Sequence, residues 1–344
     1  MKEKELLSLL KNLAYSKEIK LELLIEILEN SMSKAARKDL KDESLRVRFD
    51  CKKGSFTLLK RWKIVGDDQG VEDSSQSMHL STALGRFNLS ALVESVYDEL
   101  IEYNLSRIAV NVIKSEALCI INKLHSENIV DRIKNDNNFT LKACVKFNMH
   151  RKILVNLVDY NIDCVIPFKN LLKKDRFHVG DIIECVMIGH HIERNGSLQI
   201  HLDRCSNLML ERLFYKSVPE LQNKSVEVVK IVREPSVRSK LAIRSSDKGV
   251  DAIGACIGFR GKRVQDVSSQ LSNEKIDVIL YDADTIKFLH NAFKGLNIID
   301  IIQTDDMLEV RVPSDQLPVF IGIGGSNARL TSALVGQNIK IVAI

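Results

Sequence analysis

The 344-residue sequence predicts a multidomain α+β protein. Three observations point there. An order of helix, strand, strand, helix, G-x-x-G, helix, strand occurs twice in tandem beyond residue 205. Five short strand patterns precede it, spread over residues 130–205. Two helical patterns open the chain and lead into a strand pair.

Residues 1–129 form the first predicted segment. Helices are expected over Lys4 to Ala14 and Lys17 to Leu40, the second with Ile19, Leu23, Leu24, Ile27 and Leu28 at helical spacing. Leu45 to Asp50 and Phe56 to Val65 read as strands joined by a turn at Lys53-Gly54, and polar Asp67 to Ser77 reads as a loop. A further helix is expected from Arg107 to Leu124. Arg61, Trp62 and Lys63 make a basic and aromatic cluster, for which a half-buried Trp among solvated neighbours is the stronger reading.

Residues 130–205 hold strands over Phe139 to Phe147, Lys152 to Val158, Asp163 to Pro167, Asp181 to Ile188 and Ser197 to Asp203. Turn signals at Val179-Gly180-Asp181 and Arg194-Asn195-Gly196 separate them. Five short strands in this length suit a small OB-type barrel, which binds single strands through exposed aromatic and basic groups. Phe147, Tyr160, Phe168, Phe177 and His201 are the candidates, most of them expected in the core and about two facing ligand.

The repeated unit fills 206–282 and again 283–344. In the first copy a helix (Ser206 to Lys216) and two strands (Ser225 to Val232, Lys240 to Arg244) lead to a helix (Val250 to Ile257). Gly258-Phe259-Arg260-Gly261 follows, then a helix (Lys262 to Leu271) and a strand (Lys275 to Leu280). In the second copy Asp284 to Phe293, Ile298 to Gln303, Leu308 to Val312 and Asp315 to Ile321 precede Gly322-Ile323-Gly324-Gly325. Ser326 to Val335 and Asn338 to Ile344 close it. Sixteen glycines would give about 0.7 chance G-x-x-G matches, so one alone carries nothing; the matched surroundings carry the signal. No Gly/Ser-rich linker separates the copies, so they are expected to pack as one unit.

A G-x-x-G turn between two helices lets a nucleic-acid backbone approach the main chain, and the next helix start offers unpaired N–H groups. That is the working part of a KH module, which clamps about four nucleotides of single-stranded RNA. The candidate RNA-binding residues follow. In the first copy they are Gly258, Phe259, Arg260, Gly261, Lys262 and Arg263, with Arg233, Arg238 and Lys240 extending the basic surface from neighbouring strands. In the second copy they are Gly322, Ile323, Gly324, Gly325, Asn327 and Arg329.

The net charge of +5 is concentrated in the middle of the chain. Residues 130–205 carry 12 basic and 9 acidic side chains, residues 206–280 carry 13 and 9, and residues 281–344 carry 5 and 7. A polyanion would therefore gain most from the central segments. No apolar run approaches the roughly 20 residues that span a bilayer, and Met1 to Ala14 reads as an amphipathic helix rather than a signal peptide. Cys51, Cys119, Cys144, Cys164, Cys185, Cys205 and Cys256 never form C-x-x-C and read as buried thiols of a reducing compartment. No cofactor, metal or catalytic residue is expected. His190-His191 lacks further ligands at metal spacing, and Gly261-Lys262 lacks the upstream glycine and the Ser/Thr of a phosphate-binding loop. Gly322-Ile323-Gly324 has Asn327 where a dinucleotide fingerprint needs glycine.

Several stretches resemble the NusA family of bacterial transcription factors. They are Arg233-Glu234-Pro235, Arg238-Ser239-Lys240-Leu241-Ala242-Ile243, Gly254-Ala255-Cys256-Ile257-Gly258-Phe259-Arg260-Gly261 with Arg263-Val264-Gln265, and Glu274-Lys275-Ile276-Asp277-Val278-Ile279-Leu280. Ile321-Gly322-Ile323-Gly324-Gly325-Ser326-Asn327-Ala328-Arg329-Leu330 belongs with them. The resemblance implies an α/β amino-terminal RNA-polymerase-binding domain, an OB-type barrel of the S-one class and two tandem type II KH domains. It also implies binding to the RNA polymerase core and to nascent single-stranded RNA, alongside other antitermination factors, with effects on pausing, termination and antitermination. A bacterial cytoplasmic monomer, held at the nucleoid through polymerase and away from membranes, is expected. Three departures stand out. Ile323 replaces a basic or polar residue, which implies a weaker phosphate grip in the second turn; the barrel has few glycines and aromatics, as a spacer would; and acidic repeats beyond the second KH module are absent from this sequence. The alternatives are an RNA-degrading enzyme using the same OB and KH modules, and a ribosome-assembly or RNA-chaperone protein.

Overall fold

The computed structural model describes residues 3–50, 53–67, 76–87, 95–102, 106–136, 139–247, 249–304 and 307–344. Two compact units result, one of residues 1–136 with 191–199 and one of residues 137–190 with 200–344.

In the first unit, α1 (Glu3–Ser16) and α2 (Leu21–Leu40) lead to β1 (Leu45–Asp50) and β2 (Ser55–Val65). β3 (Ser77–His79), α3 (Leu80–Phe87), β4 (Val96–Ile101) and α4 (Arg107–Asn135) follow. β2 pairs antiparallel with β1 and β4 and parallel with β3. The apolar stripe of the two opening helices meets Phe49 and Ile121 in one core, with Leu24 fully buried. α4 runs eleven residues past the predicted end, because Ile129, Val130 and Ile133 continue its buried stripe. The loop expected at Asp67 to Ser77 lies largely outside the described residues. Trp62 is buried, donates to Glu99 Oε2 at 2.7 Å and has the Lys60 ammonium 4.4 Å from its ring centre. Arg61 makes a two-point contact with Asp98, so this cluster is part of the sheet.

Residues 191–199 pack against α4 through Arg194 and Gly196. The Cys119 thiol donates to Arg194 O, Ser126 Oγ donates to Gly196 O, and Gly196 has φ +82°. A Cβ there would lie 2.6 Å from Cys119 O and 2.7 Å from Lys123 N. Gly196→Ala is therefore expected to cost about 2–3 kcal/mol, from left-handed backbone strain and overlap with main chain that cannot move aside. Thermal unfolding checks it, and an unchanged midpoint would contradict the packing.

In the second unit, β5 (Leu141–Met149), β6 (Lys152–Leu157), β7 (Ile162–Pro167), β8 (Ile182–Ile192) and β9 (Leu198–Asp203) close a barrel in the order β5-β6-β7-β9-β8. Alternating burial along β6 and β7 turns Ile153, Val155, Leu157, Cys164 and Ile166 inward. Burial pushes the Cys164 and Cys185 thiols up to about 12. None of the five candidate aromatic and histidine residues is buried. Phe147 is 60% and Phe168 51% exposed, His201 is exposed, and Tyr160 and Phe177 are half-buried. The expectation that most would be core residues fails because the β-branched and leucine side chains already fill this small barrel.

α5 (Asn207–Ser217), α6 (Pro219–Gln222), β10 (Val226–Glu234), β11 (Arg238–Ser245), α7 (Ala252–Ile257), α8 (Lys262–Gln270) and β12 (Lys275–Leu280) build the first KH module. α9 (Thr285–Ala292), β13 (Asp300–Gln303), β14 (Met307–Val312), α10 (Leu317–Ile321), α11 (Ser326–Val335) and β15 (Asn338–Ala343) build the second. Each sheet is mixed, its middle strand antiparallel to the strand before it and parallel to the last. α9 and α11 of the second module cover the first module's sheet through Ala242, Ile279, Phe288, Ala292 and Leu334. That apolar contact joins the two copies as their linker-free junction suggests.

Candidate nucleic-acid interface

The two glycine turns have nearly identical backbones. Gly258 and Gly322 share φ +74° with ψ 174° and 171°, and Gly261 and Gly325 share φ +77° with ψ 10° and 11°. The third residue is left-handed in both, Arg260 at φ 51° and Gly324 at φ 59°. Each turn closes on itself, Gly261 N donating to Gly258 O at 3.1 Å and Gly325 N to Gly322 O at 3.0 Å. Each also caps the preceding helix, through Gly258 N to Gly254 O and Gly322 N to Pro318 O. The side chain five residues after the first glycine reaches back to the same place. Arg263 Nη1 donates to Ala255 O, and Asn327 Nδ2 to Val319 O.

The glycines do different jobs. A Cβ on Gly258 would meet Arg263 Cγ at 2.6 Å, and one on Gly322 would meet Asn327 Cβ at 2.8 Å. The space that a side chain would take at the first glycine of each turn is thus filled by the protein. Gly261 and Gly324 face open space, and these positions leave room for a strand. At the tips, Phe259 is 83% and Ile323 88% exposed.

The charges divide unevenly. Arg260 and Lys262 are exposed with no ion pair among the described residues. Arg263 is half-exposed and bound to Glu220 at 3.0 Å. Arg238 makes a two-point pair with Asp277 at 2.7 and 3.0 Å. Arg233 and Lys240 leave the candidate surface altogether. The Arg233 guanidinium and the Glu274 carboxylate are both fully buried against each other, because Glu274 also gathers Ser236 N and Ser239 Oγ. The Lys240 ammonium, 1% exposed, donates to Ala292 O at 3.0 Å and lies 3.3 Å from Asp277. Burial lowers its pKa and Asp277 opposes that. Lys240 therefore ties the first sheet to the end of α9. In the second turn Asn327 is buried, with Oδ1 unpartnered among the described residues. Arg329 donates to Gly324 O and to both Glu234 oxygens. The second turn keeps no unpaired cation. The partners Glu274 and Glu234 escaped sequence reading because each ion pair joins residues 41 and 95 positions apart.

Arg260→Gly separates backbone from charge. It is expected to stabilise the protein by about 1 kcal/mol by relieving the left-handed arginine. It should also weaken single-stranded RNA binding and lower the salt dependence by about 0.7. Thermal unfolding and a salt-series titration check the pair; a salt slope equal to the parent's would remove Arg260 from the contact.

Among the described residues, no group of three His, Cys, Asp or Glu could hold a metal ion, and no helix is long and apolar enough to cross a membrane. The chain matches the NusA N-terminal domain over residues 5–127, the NusA-like first KH domain over 204–281 and the NusA-like second KH domain over 286–344. It is 29% identical to the transcription termination/antitermination protein NusA of Rickettsia conorii, covering 98% of this chain and 67% of that one. The same protein of Rickettsia prowazekii matches at the same identity and coverage. The solution structure of the N-terminal domain of NusA from B. subtilis superposes at a TM-score of 0.28 and 22% identity, covering 38% of this chain and 98% of that one, too loosely to bear on the fold. Models of three NusA domains match successive stretches of this sequence, and the chain belongs to the NusA family.

Proposed function

We propose that this chain is a transcription termination and antitermination factor. Its KH turns hold nascent single-stranded RNA, and its amino-terminal unit holds the RNA polymerase core and thereby modulates pausing. The observation that carries the reading is the twice-built turn with open glycines at Gly261 and Gly324, set in a chain whose relatives are named for that role. The first turn is the stronger grip, since Arg260 and Lys262 are unpaired there and Arg329 is engaged. The protein acts by binding, not catalysis, as a cytoplasmic monomer near the nucleoid. An RNA-degrading enzyme is disfavoured because the residues ahead of the barrel match the NusA N-terminal domain instead of a phosphorolytic one.

The test uses the intact chain, since a fragment ending at residue 129 would cut α4. Tagged protein is expected to retain the polymerase core after ribonuclease treatment. Polymerase that is lost with the RNA would overturn the amino-terminal contact.

A further inference from the structure

We propose that the open face of the β1-β2-β4 sheet is a docking surface for the RNA polymerase core, taking an amphipathic helix whose polar flank is acidic. This rests on the reading that the amino-terminal unit holds the polymerase core. The strand register decides which side chains share that face. Leu45, Val47 and Phe49 of β1 stand across from Lys60, Leu58 and Phe56 of β2, and Trp62 stands across from Tyr97 of β4. These side chains turn toward the helices, Phe49 and Phe56 packing with α1, α2 and α4, and Trp62 with α3. The alternate residues face the other way. They make rows across the strands: Arg46, Leu59 and Leu100 in one, Arg61 and Asp98 in the next, then Lys63 and Val96. Arg48 stands beside Thr57.

The face combines aliphatic side chains with a cationic rim. Leu100 is 68% and Val96 56% exposed, and Leu59 is half-buried between Arg46 and Leu100. Arg46, Arg48 and Lys63 are exposed, and none of their side chains has an ion pair or hydrogen bond among the described residues. Asp98, the one carboxylate in these rows, is held by Arg61 at 2.7 and 2.8 Å. The Arg61 hydrogen bond lowers its pKa, and Arg48 and Arg46 add to that through space, so three guanidiniums gather on one side of the sheet. Residues 1–129 carry 20 basic and 20 acidic side chains, so this excess is a local segregation of charge. Three strands about 4.8 Å apart make a strip about 10 Å wide, which one α-helix of about 10 Å diameter would cover. Apolar side chains ringed by charge are the build of a protein interface, and the cations select an acidic partner and speed its approach. No aromatic ring lies in these rows for a base to stack on, which favours a polypeptide over RNA.

Biolayer interferometry of the intact chain against ribonuclease-treated polymerase core tests this, beside thermal unfolding and anisotropy with an unstructured oligouridylate. Leu100→Ser removes exposed apolar surface and is expected to weaken polymerase binding about fivefold. Arg46→Glu/Arg48→Glu reverses the rim and is expected to weaken it about tenfold and to flatten its fall with added salt. Both variants should bind the oligouridylate within about twofold of the parent, since the glycine turns are untouched. Parental polymerase affinity in either variant, with its thermal midpoint unchanged, overturns the proposal alone. If the double variant fails to fold, Leu100→Ser decides. Oligouridylate binding lost together with polymerase binding would make the face an RNA surface and overturn the proposal too. A parent chain that does not hold ribonuclease-treated core fails the amino-terminal reading, and this proposal fails with it.

Discussion

Gly261→Asp is expected to weaken single-stranded RNA binding at least tenfold while leaving the protein folded. Gly261 has φ +77° and ψ 10°, a left-handed conformation that aspartate enters more readily than most residues, at about 1 kcal/mol. Nothing lies within 4 Å of its missing Cβ, so no packing is disturbed. The new carboxylate would stand between Arg260 and Lys262, the two unpaired cations of the turn, and oppose every phosphate that approaches. Gly258→Asp is the poorer test. At φ +74° and ψ 174° it occupies a region nearly reserved for glycine, and its Cβ would press on Arg263 Cγ. Loss of binding there would mix misfolding with loss of contact. Anisotropy titration with an unstructured oligonucleotide, beside thermal unfolding, reads both quantities; full affinity in a folded Gly261→Asp protein would show that RNA does not use this corner.

Glu274→Gln is expected to destabilise the second unit by about 3–5 kcal/mol, a large share of a typical domain's stability. The carboxylate meets Arg233 Nε at 2.8 Å and Nη2 at 2.9 Å, and it accepts from Ser236 N at 2.9 Å and from Ser239 Oγ. Arg233 Nη1 continues to Arg204 O and Ser206 O. Neutralising Glu274 strands a fully buried guanidinium, which water cannot reach to compensate. Arg233→Met/Glu274→Leu should recover much of the loss, since removing both charges removes the desolvation cost as well. Denaturant unfolding measures it. A Glu274→Gln protein as stable as the parent would contradict the buried pair, and a lower RNA salt slope in the Arg233→Met/Glu274→Leu protein would return Arg233 to the surface role its sequence position suggests.

The duplicated module was legible because its signals are local. The glycine turns and the alternating strands sit within a few residues of the elements they define. β3, α3 and β4 were not read. They are short, and β4 has no alternation between buried and exposed positions. Arg233 and Lys240 look like surface cations from sequence. Glu274, 41 residues from Arg233, and Ala292, 52 residues from Lys240, make them interior. The turns show the same limit at finer scale. G-F-R-G and G-I-G-G reveal where glycine is required, but only the dihedral angles show that Arg260 and Gly324 are equivalent positions.

Photo-cross-linking of the intact protein to a thiouridine-substituted single strand, followed by peptide mapping, tests the RNA track most directly. Cross-links are expected in the peptides that contain Phe259–Lys262 and Ile323–Arg329, the first the stronger. Adducts confined to residues 1–136, with both glycine-turn peptides unmodified, would contradict it.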